Sequence, residues 1–147
     1  MLRRDHPPKV PRHAYRRLGR VLVVDGDAER AGVLCAALKD DGHDVTVEAT
    51  VAGGAHVAMT TVPDLIVLDA DREEGLGLSV CAALRREHET REVLVLVMSS
   101  SASEATRVEA FEAGADDYMA RPFSTRELLL RARALLRRVA RARVTGP

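Results

Sequence analysis

A small set of polar residues in this 147-residue chain stands at the ends of apolar runs, where side chains can be aimed at one place. VLVVDGD at 21–27 ends in Asp25, Gly26 and Asp27, and PDLIVLD at 63–69 ends in Asp69, with Asp71 two residues on. EVLVLVM at 92–98 leads into Ser99, Ser100 and Ser101, and DDYMA at 116–120 leads into Arg121. Two or three carboxylates with no neighbouring His or Cys form an oxygen-only site for a hard cation, of which Mg²⁺ is the usual example. Such a cation would hold Asp69 ionised and accept oxygens of a phosphoryl group. The Ser99 hydroxyl and the Arg121 guanidinium would take the remaining oxygens, which is the positioning and charge neutralisation that phosphoryl transfer requires. Asp69 is then the natural nucleophile, forming an acyl phosphate.

For these residues to meet, the runs that carry them must lie side by side. Strand-length runs at 21–25, 44–49, 64–69, 92–98 and 116–120 alternate with stretches of helical spacing at about 28–39, 51–60, 78–88, 103–113 and 125–142. In the first helix Val33, Leu34, Ala37 and Leu38 are expected on one side. Asp27, Ser103 and Ser124 are expected N-caps, Glu127 completes a capping box with Ser124, and Gly42 and Gly114 sit where helices stop. Near-continuous Val, Ile and Leu in the first, third and fourth strands implies burial on both faces. Strict βα alternation implies a parallel sheet with right-handed crossovers. The expected fold is α/β, five βα units doubly wound, with ligands bound beyond the carboxyl ends of the strands.

Length and composition bound the rest. One globular domain fits, 46% of residues are hydrophobic and 30% charged, and no DNA-reading domain is expected beside it. The zero net charge hides an arrangement. Residues 1–20 carry seven basic side chains against one acid, and 121–147 eight against one, which leaves twenty acids against seven basic groups between them. Either the basic tails are simply solvated and help solubility, or the acidic centre marks a divalent-cation site. Residues 1–19, with Pro7, Pro8 and Pro11 and no apolar period, read as a basic flexible arm, 20–140 as the domain and 141–147 as a C-terminal tail. No run approaches a membrane span, and no apolar stretch follows the Arg-rich start as a secretory signal would need. Cys35 and Cys81 read as small buried hydrophobes in a reducing, cytoplasmic setting. The five histidines read as surface or loop residues. Apart from phosphotransfer at Asp69 no enzyme is expected, since hydrolase triads, Gly-rich phosphate loops and metal-hydrolase motifs are missing from the sequence.

The pieces VLVVDGD, PDLIVLD, Gly77, Ser99 and EAGADDYMARPF at 112–123, in this order, resemble the receiver domain of two-component response regulators over about residues 20–138. The resemblance implies a CheY-like, flavodoxin-like (βα)5 fold with strand order 2-1-3-4-5. It implies Asp69 as phospho-acceptor, with a histidine kinase or phosphotransfer protein as donor. Asp25, Asp69 and the backbone carbonyl of Asp71 become the Mg²⁺ ligands, Ser99 the hydroxyl that moves onto the phosphoryl group, and Tyr118 the aromatic switch. Pro122 stands where the family commonly has a cis peptide bond.

Three positions depart from the family pattern. Gly26 replaces a metal-binding acid, so Mg²⁺ affinity should fall unless Asp27 or water substitutes. Arg121 replaces a near-invariant lysine, trading a compact ammonium for a planar fork. The loop ADREEGL places Glu73 and Leu76 at positions of other types, and extra acids beside Asp69 would repel a phosphoryl group. Two functions follow: a phospho-accepting receiver, or an atypical pseudo-receiver acting as a phosphorylation-independent interaction module. The segment 112–138 most resembles the OmpR-type branch, which implies a homodimer through the fourth helix, fifth strand and fifth helix, with Arg107–Glu127 and Asp117–Arg131 pairs across the subunits. Nucleic acid is not expected as a partner, because the Arg-rich ends lack the interleaved aromatics of single-strand binders.

Overall fold

A computed structural model describes residues 19–145; the expected arm, except Gly19, and residues 146–147 lie outside the described residues. Five strands, β1 (Arg20–Val24), β2 (Asp44–Glu48), β3 (Leu65–Asp69), β4 (Leu94–Ser99) and β5 (Asp117–Ala120), form one parallel sheet in the order β2-β1-β3-β4-β5. Between and after them run α1 (Ala28–Asp40), α2 (Val51–Thr61), α3 (Leu76–Arg86), α4 (Glu104–Glu112) and α5 (Thr125–Thr145). The flavodoxin-like fold and its strand order are as the sequence implies. Helix α5 continues through 141–145, which were expected in the tail.

Alternation along each strand divides the core in two, because successive side chains point to opposite faces. On one face Val21, Val23, Val67, Leu96 and Met98 pack with Leu34 and Leu38 of α1 and Leu128, Ala132 and Leu135 of α5. On the other Leu22, Val24, Ile66, Leu68, Val95 and Val97 pack with Ala58 of α2, Cys81 and Leu84 of α3 and Ala110 of α4. β3 and β4 are buried from end to end, which is why they read as unbroken aliphatic runs.

The helix signals hold with two corrections. Asp27 accepts from the Arg30 N–H, Ser103 from the Thr106 N–H and Ser124 from the Glu127 N–H, while Gly42 and Gly114 take the positive φ that ends a helix. The capping box at Ser124 is only half made, because the Glu127 carboxylate turns to Arg131. The buried stripe of α1 is Ala31, Leu34 and Leu38, a spacing of three and four; Val33 is half exposed. Cys81 is wholly buried, which pushes its thiol up to about 11. Cys35 is half-buried, and both cysteines are free. Among the described residues no helix is long and apolar enough to cross a membrane. His43 lies in the loop between α1 and β2, as its surface-or-loop reading allows, but its side chain is buried beside Asp41.

Candidate functional site

The parallel sheet brings β1, β3 and β4 to a common carboxyl edge, and the residues that follow them converge there. Asp25 follows β1 with its side chain wholly buried, and Asp69 closes β3 with its side chain nearly so. Ser99 ends β4 and is buried. Arg121, just beyond β5, is tied to this edge by donating its backbone N–H to the Ser99 carbonyl, and its peptide bond to Pro122 is cis, as expected.

Two guanidinium groups meet on Asp69. From one side Arg121 places Nη1 3.3 Å and Nη2 3.2 Å from Oδ1. From the other, Arg30 of α1 places Nη2 3.2 Å from Oδ2. Arg30 also grips Asp25 with both arms of its fork, Nε to Oδ2 at 2.6 Å and Nη2 to Oδ1 at 2.8 Å. Backbone N–H groups take further lone pairs, Asp27 N donating to Asp25 Oδ1 at 2.9 Å and Asp71 N to Asp69 Oδ1 at 3.1 Å. Every carboxylate oxygen of Asp25 and Asp69 therefore already accepts from nitrogen.

Arg30 went unnoticed in the sequence, yet a signal was present. It lies in the first turn of α1, where the helix dipole disfavours a cation, so an arginine there calls for a nearby carboxylate. The Asp25 carboxylate, by accepting from its side chain, holds Arg30 charged against the opposing effect of burial.

The Asp71 side chain is also more engaged than expected. It accepts from Ser99 Oγ at 2.8 Å, from the Ser100 N–H at 2.8 Å and from Arg121 Nη1 at 2.7 Å. Burial pushes its carboxyl up, and the bonds from Ser99 and Ser100 with the charge of Arg121 outweigh this, leaving it below the usual carboxylate range. Asp71 thus holds Ser99 and Arg121 in place, a positioning role for its carboxylate in addition to the carbonyl role the resemblance implies.

The departures take on structural meaning. A Cβ at Gly26 would stand 3.1 Å from Arg72 Cδ and Nη1 and 3.2 Å from the Ala49 carbonyl, so the space of the missing acid is bordered by a third arginine. Arg72 and Arg30 both act on Asp27, whose carboxyl is lowered first by the Arg30 backbone N–H. The Glu73 carboxylate accepts from the Val51 N–H at 2.8 Å and so is engaged at the start of α2. Among the described residues no group of three or more His, Cys, Asp or Glu side chains is placed to hold a metal ion.

The other expected residues lie toward α4 and α5. Tyr118 is buried, and its hydroxyl donates to the Ser101 carbonyl. Arg131 pairs with Asp117 at 3.0 Å and Glu127 at 3.3 Å within one chain, while Arg107 donates to the Ala102 carbonyl at 3.2 Å. Within the chain, then, Asp117 and Glu127 share Arg131, and Arg107 stands apart from Glu127's partner.

Comparison with known proteins bears on this arrangement. The family model for the response regulator receiver domain matches residues 21–133. The DNA-binding dual master transcriptional regulator RpaA of Synechocystis sp. is 35% identical over 122 residues, covering 83% of this chain and 51% of that protein. The phosphate regulon transcriptional regulatory protein PhoB of Klebsiella pneumoniae is 34% identical over 121 residues, covering 82% and 53%. The receiver domain of Francisella response regulator 1452 superposes with a TM-score of 0.76 at 29% identity, covering 82% of this chain and 98% of that one. The chain spans about half the length of the two regulators, which are of the OmpR/PhoB type. With its fold, its acidic edge and these matches in agreement, this chain belongs to the response regulator receiver family, the signalling modules of two-component phosphorelays.

Proposed function

We propose that this receiver accepts a phosphoryl group on Asp69 from a phosphohistidine of a histidine kinase or phosphotransfer protein. The observation that carries the proposal is the convergence of Arg30 and Arg121 on the buried Asp69 carboxylate. An Asp69 carboxylate oxygen attacks phosphorus, the P–O bond forms as the P–N bond breaks, and the electron pair returns to the imidazole nitrogen. Arg30 and Arg121 leave the carboxylate for the equatorial phosphoryl oxygens, where charge builds in the transition state.

Receiver domains of this family generally bind Mg²⁺ at the acidic pocket. The residues here do not fit that ion as they are arranged, because Arg30 holds both oxygens of Asp25 and reaches one of Asp69, and Gly26 supplies no acid. Asp25, Asp69 and the Asp71 carbonyl, the expected ligands of a weakened Mg²⁺ site, would meet that ion together only after Arg30 leaves Asp25 and Asp69. The charge neutralisation above rests on the two arginines alone.

The proposed output runs through Ser101. Ser99 Oγ accepts from the Ser101 N–H at 3.1 Å, and Tyr118 donates to the Ser101 carbonyl. The Ser101 hydroxyl in turn bonds Thr106 in α4 at 2.9 Å. When Ser99 turns from Asp71 toward the phosphoryl group, this segment loses an anchor, and Tyr118 and α4 shift with it. The face of α4, β5 and α5 then takes up a second copy of the chain through Arg107, Asp117, Glu127 and Arg131. Beyond that copy the proposed partner is the kinase or phosphotransfer protein, in the cytoplasm. DNA contact, which the name of RpaA gives to that longer protein, is not proposed for the receiver. The comparisons support the phosphorelay reading, and none supports the phosphorylation-independent alternative.

Intact mass after incubation with a small-molecule phosphodonor tests the acceptor. Wild type should gain one phosphoryl group, and Asp69→Ala should gain none. No adduct on wild type across a range of Mg²⁺ concentrations overturns the proposal.

A further inference from the structure

We infer that Arg30 is the resident cation of the acidic pocket, an intramolecular competitor that a divalent ion must displace, so that this one side chain sets the pocket's divalent affinity. The inference concerns the pocket described above but does not depend on phosphoryl acceptance at Asp69.

Any ion joining Asp25 to Asp69 must stand between their carboxylates, and the Arg30 guanidinium stands there. It makes a bidentate pair with the wholly buried Asp25, and the same Nη2 that completes the pair reaches Asp69. A third carboxylate cannot readily come from position 26, where a side chain would press on Arg72 and on the Ala49 backbone. A divalent ion therefore meets two carboxylates already bridged by a tethered cation of fixed charge and matched geometry, with Arg121 on the far oxygen of Asp69. It must shed water to enter, which Mg²⁺ does reluctantly, and must also release Arg30 to solvent. Release has a path, since the Arg30 side chain is 31% exposed while that of Asp25 is fully covered. The guanidinium acts as a displaceable plug.

Metal binding measured without any phosphodonor tests this directly. Mn²⁺ binding, followed by the electron paramagnetic resonance signal of the free ion, is compared for wild type, Arg30→Met and Arg86→Met, the last removing an exposed charge on α3. Arg30→Met should bind Mn²⁺ about tenfold or more tighter than both others, a change of one decade in affinity. Asp25→Asn added to Arg30→Met should abolish the gain. Equal or weaker binding by Arg30→Met overturns the inference, as does an equal gain from Arg86→Met. Should Arg30→Met fail to fold, wild type still decides the matter through the Arg30 Nε–H resonance, assigned by its absence from Arg30→Lys. On titration with Mg²⁺ the resonance should shift and lose its protection in step with the backbone amides of Asp25 and Asp69. An unmoved Arg30 resonance at Mg²⁺ saturation refutes the displacement. A protein that takes no phosphoryl group but follows these results would overturn the acceptor proposal and leave this one standing.

Discussion

Helix α1 has a buried carboxylate at each end, and each is held by the fork of an arginine. At its amino end Asp25 is gripped by Arg30 from within the same helix, and at its carboxyl end Asp41 is gripped by Arg133 of α5, with His43 3.5 Å from the same carboxylate. The chemistry is the same, but the surroundings differ. At the carboxyl end one arginine from 92 residues away ties two helices together, and the pair is a clamp between elements. At the amino end three carboxylates of the sheet edge share Arg30 and Arg121, so each guanidinium has more than one place to go. A clamp that ties two helices together through one arginine fixes a fold; arginines shared among several carboxylates can be redistributed when a phosphoryl group or cation arrives.

The clamp should give the largest stability effect. Arg133→Met takes both fork bonds from an Asp41 carboxylate whose own side chain is buried, and with the Arg133 side chain 37% exposed the cost should be about 2 kcal/mol, as for hydrogen bonds to a charged group. A denaturant midpoint should fall accordingly, and Mg²⁺ should not restore it. The stability lost in Arg30→Met should return as Mg²⁺ is added, because a ligand of the folded state stabilises by mass action. If Mg²⁺ rescues both or neither, the two ends of α1 do not differ in the way described.

Asp71 should show the next effect, and it depends on pH. Its carboxyl lies below the ordinary value in the folded chain because Ser99, Ser100 and Arg121 favour the charged form more than burial opposes it. A group lowered by folding contributes stability that is complete above its unfolded value and is lost as pH falls through the folded one. Asp71→Asn should therefore cost about 1–2 kcal/mol near neutrality, as for hydrogen bonds to a charged group. The gap from wild type should close as the pH drops below about 4, where an ordinary aspartate protonates. Thermal melts of the two proteins across pH measure it, and a gap that widens toward acid would refute the role of the charged form.

The fold was legible because the backbone-buried strands β3 and β4 tolerate little but aliphatic residues, and because caps such as Asp27 and Ser103 are local. The sheet edge was legible for the same reason: Asp25, Asp69 and Ser99 are strand-end residues, and a parallel sheet brings strand ends together. What escaped were long side chains reaching across the fold. Arg30, Arg72, Arg133 and Glu73 find their partners through rotamers and neighbouring loops that no spacing encodes. Glu73 shows the limit well, since its position beside Asp69 in the chain suggested repulsion while its carboxylate accepts from the Val51 N–H at the start of α2. The buried His43 side chain had no sequence signal either, since no spacing places it beside Asp41.

The smallest effect should come from Glu127→Gln. Glu127 and Arg131 are one turn apart on α5 and both well exposed, and Arg131 keeps Asp117 when Glu127 is neutralised. Such a pair contributes about 0.3–0.5 kcal/mol to a helix, and salt screens it further. The same substitution weighs more on association if the proposed dimer uses Glu127 twice, once on each side of a two-fold axis. The monomer melt should hardly move, while light scattering of phosphodonor-treated protein should show weaker dimerisation for Glu127→Gln than for wild type. Equal association of the two proteins removes Glu127 from the interface, and it would leave the α5 surface, unlike the sheet edge, with charges that are merely solvated.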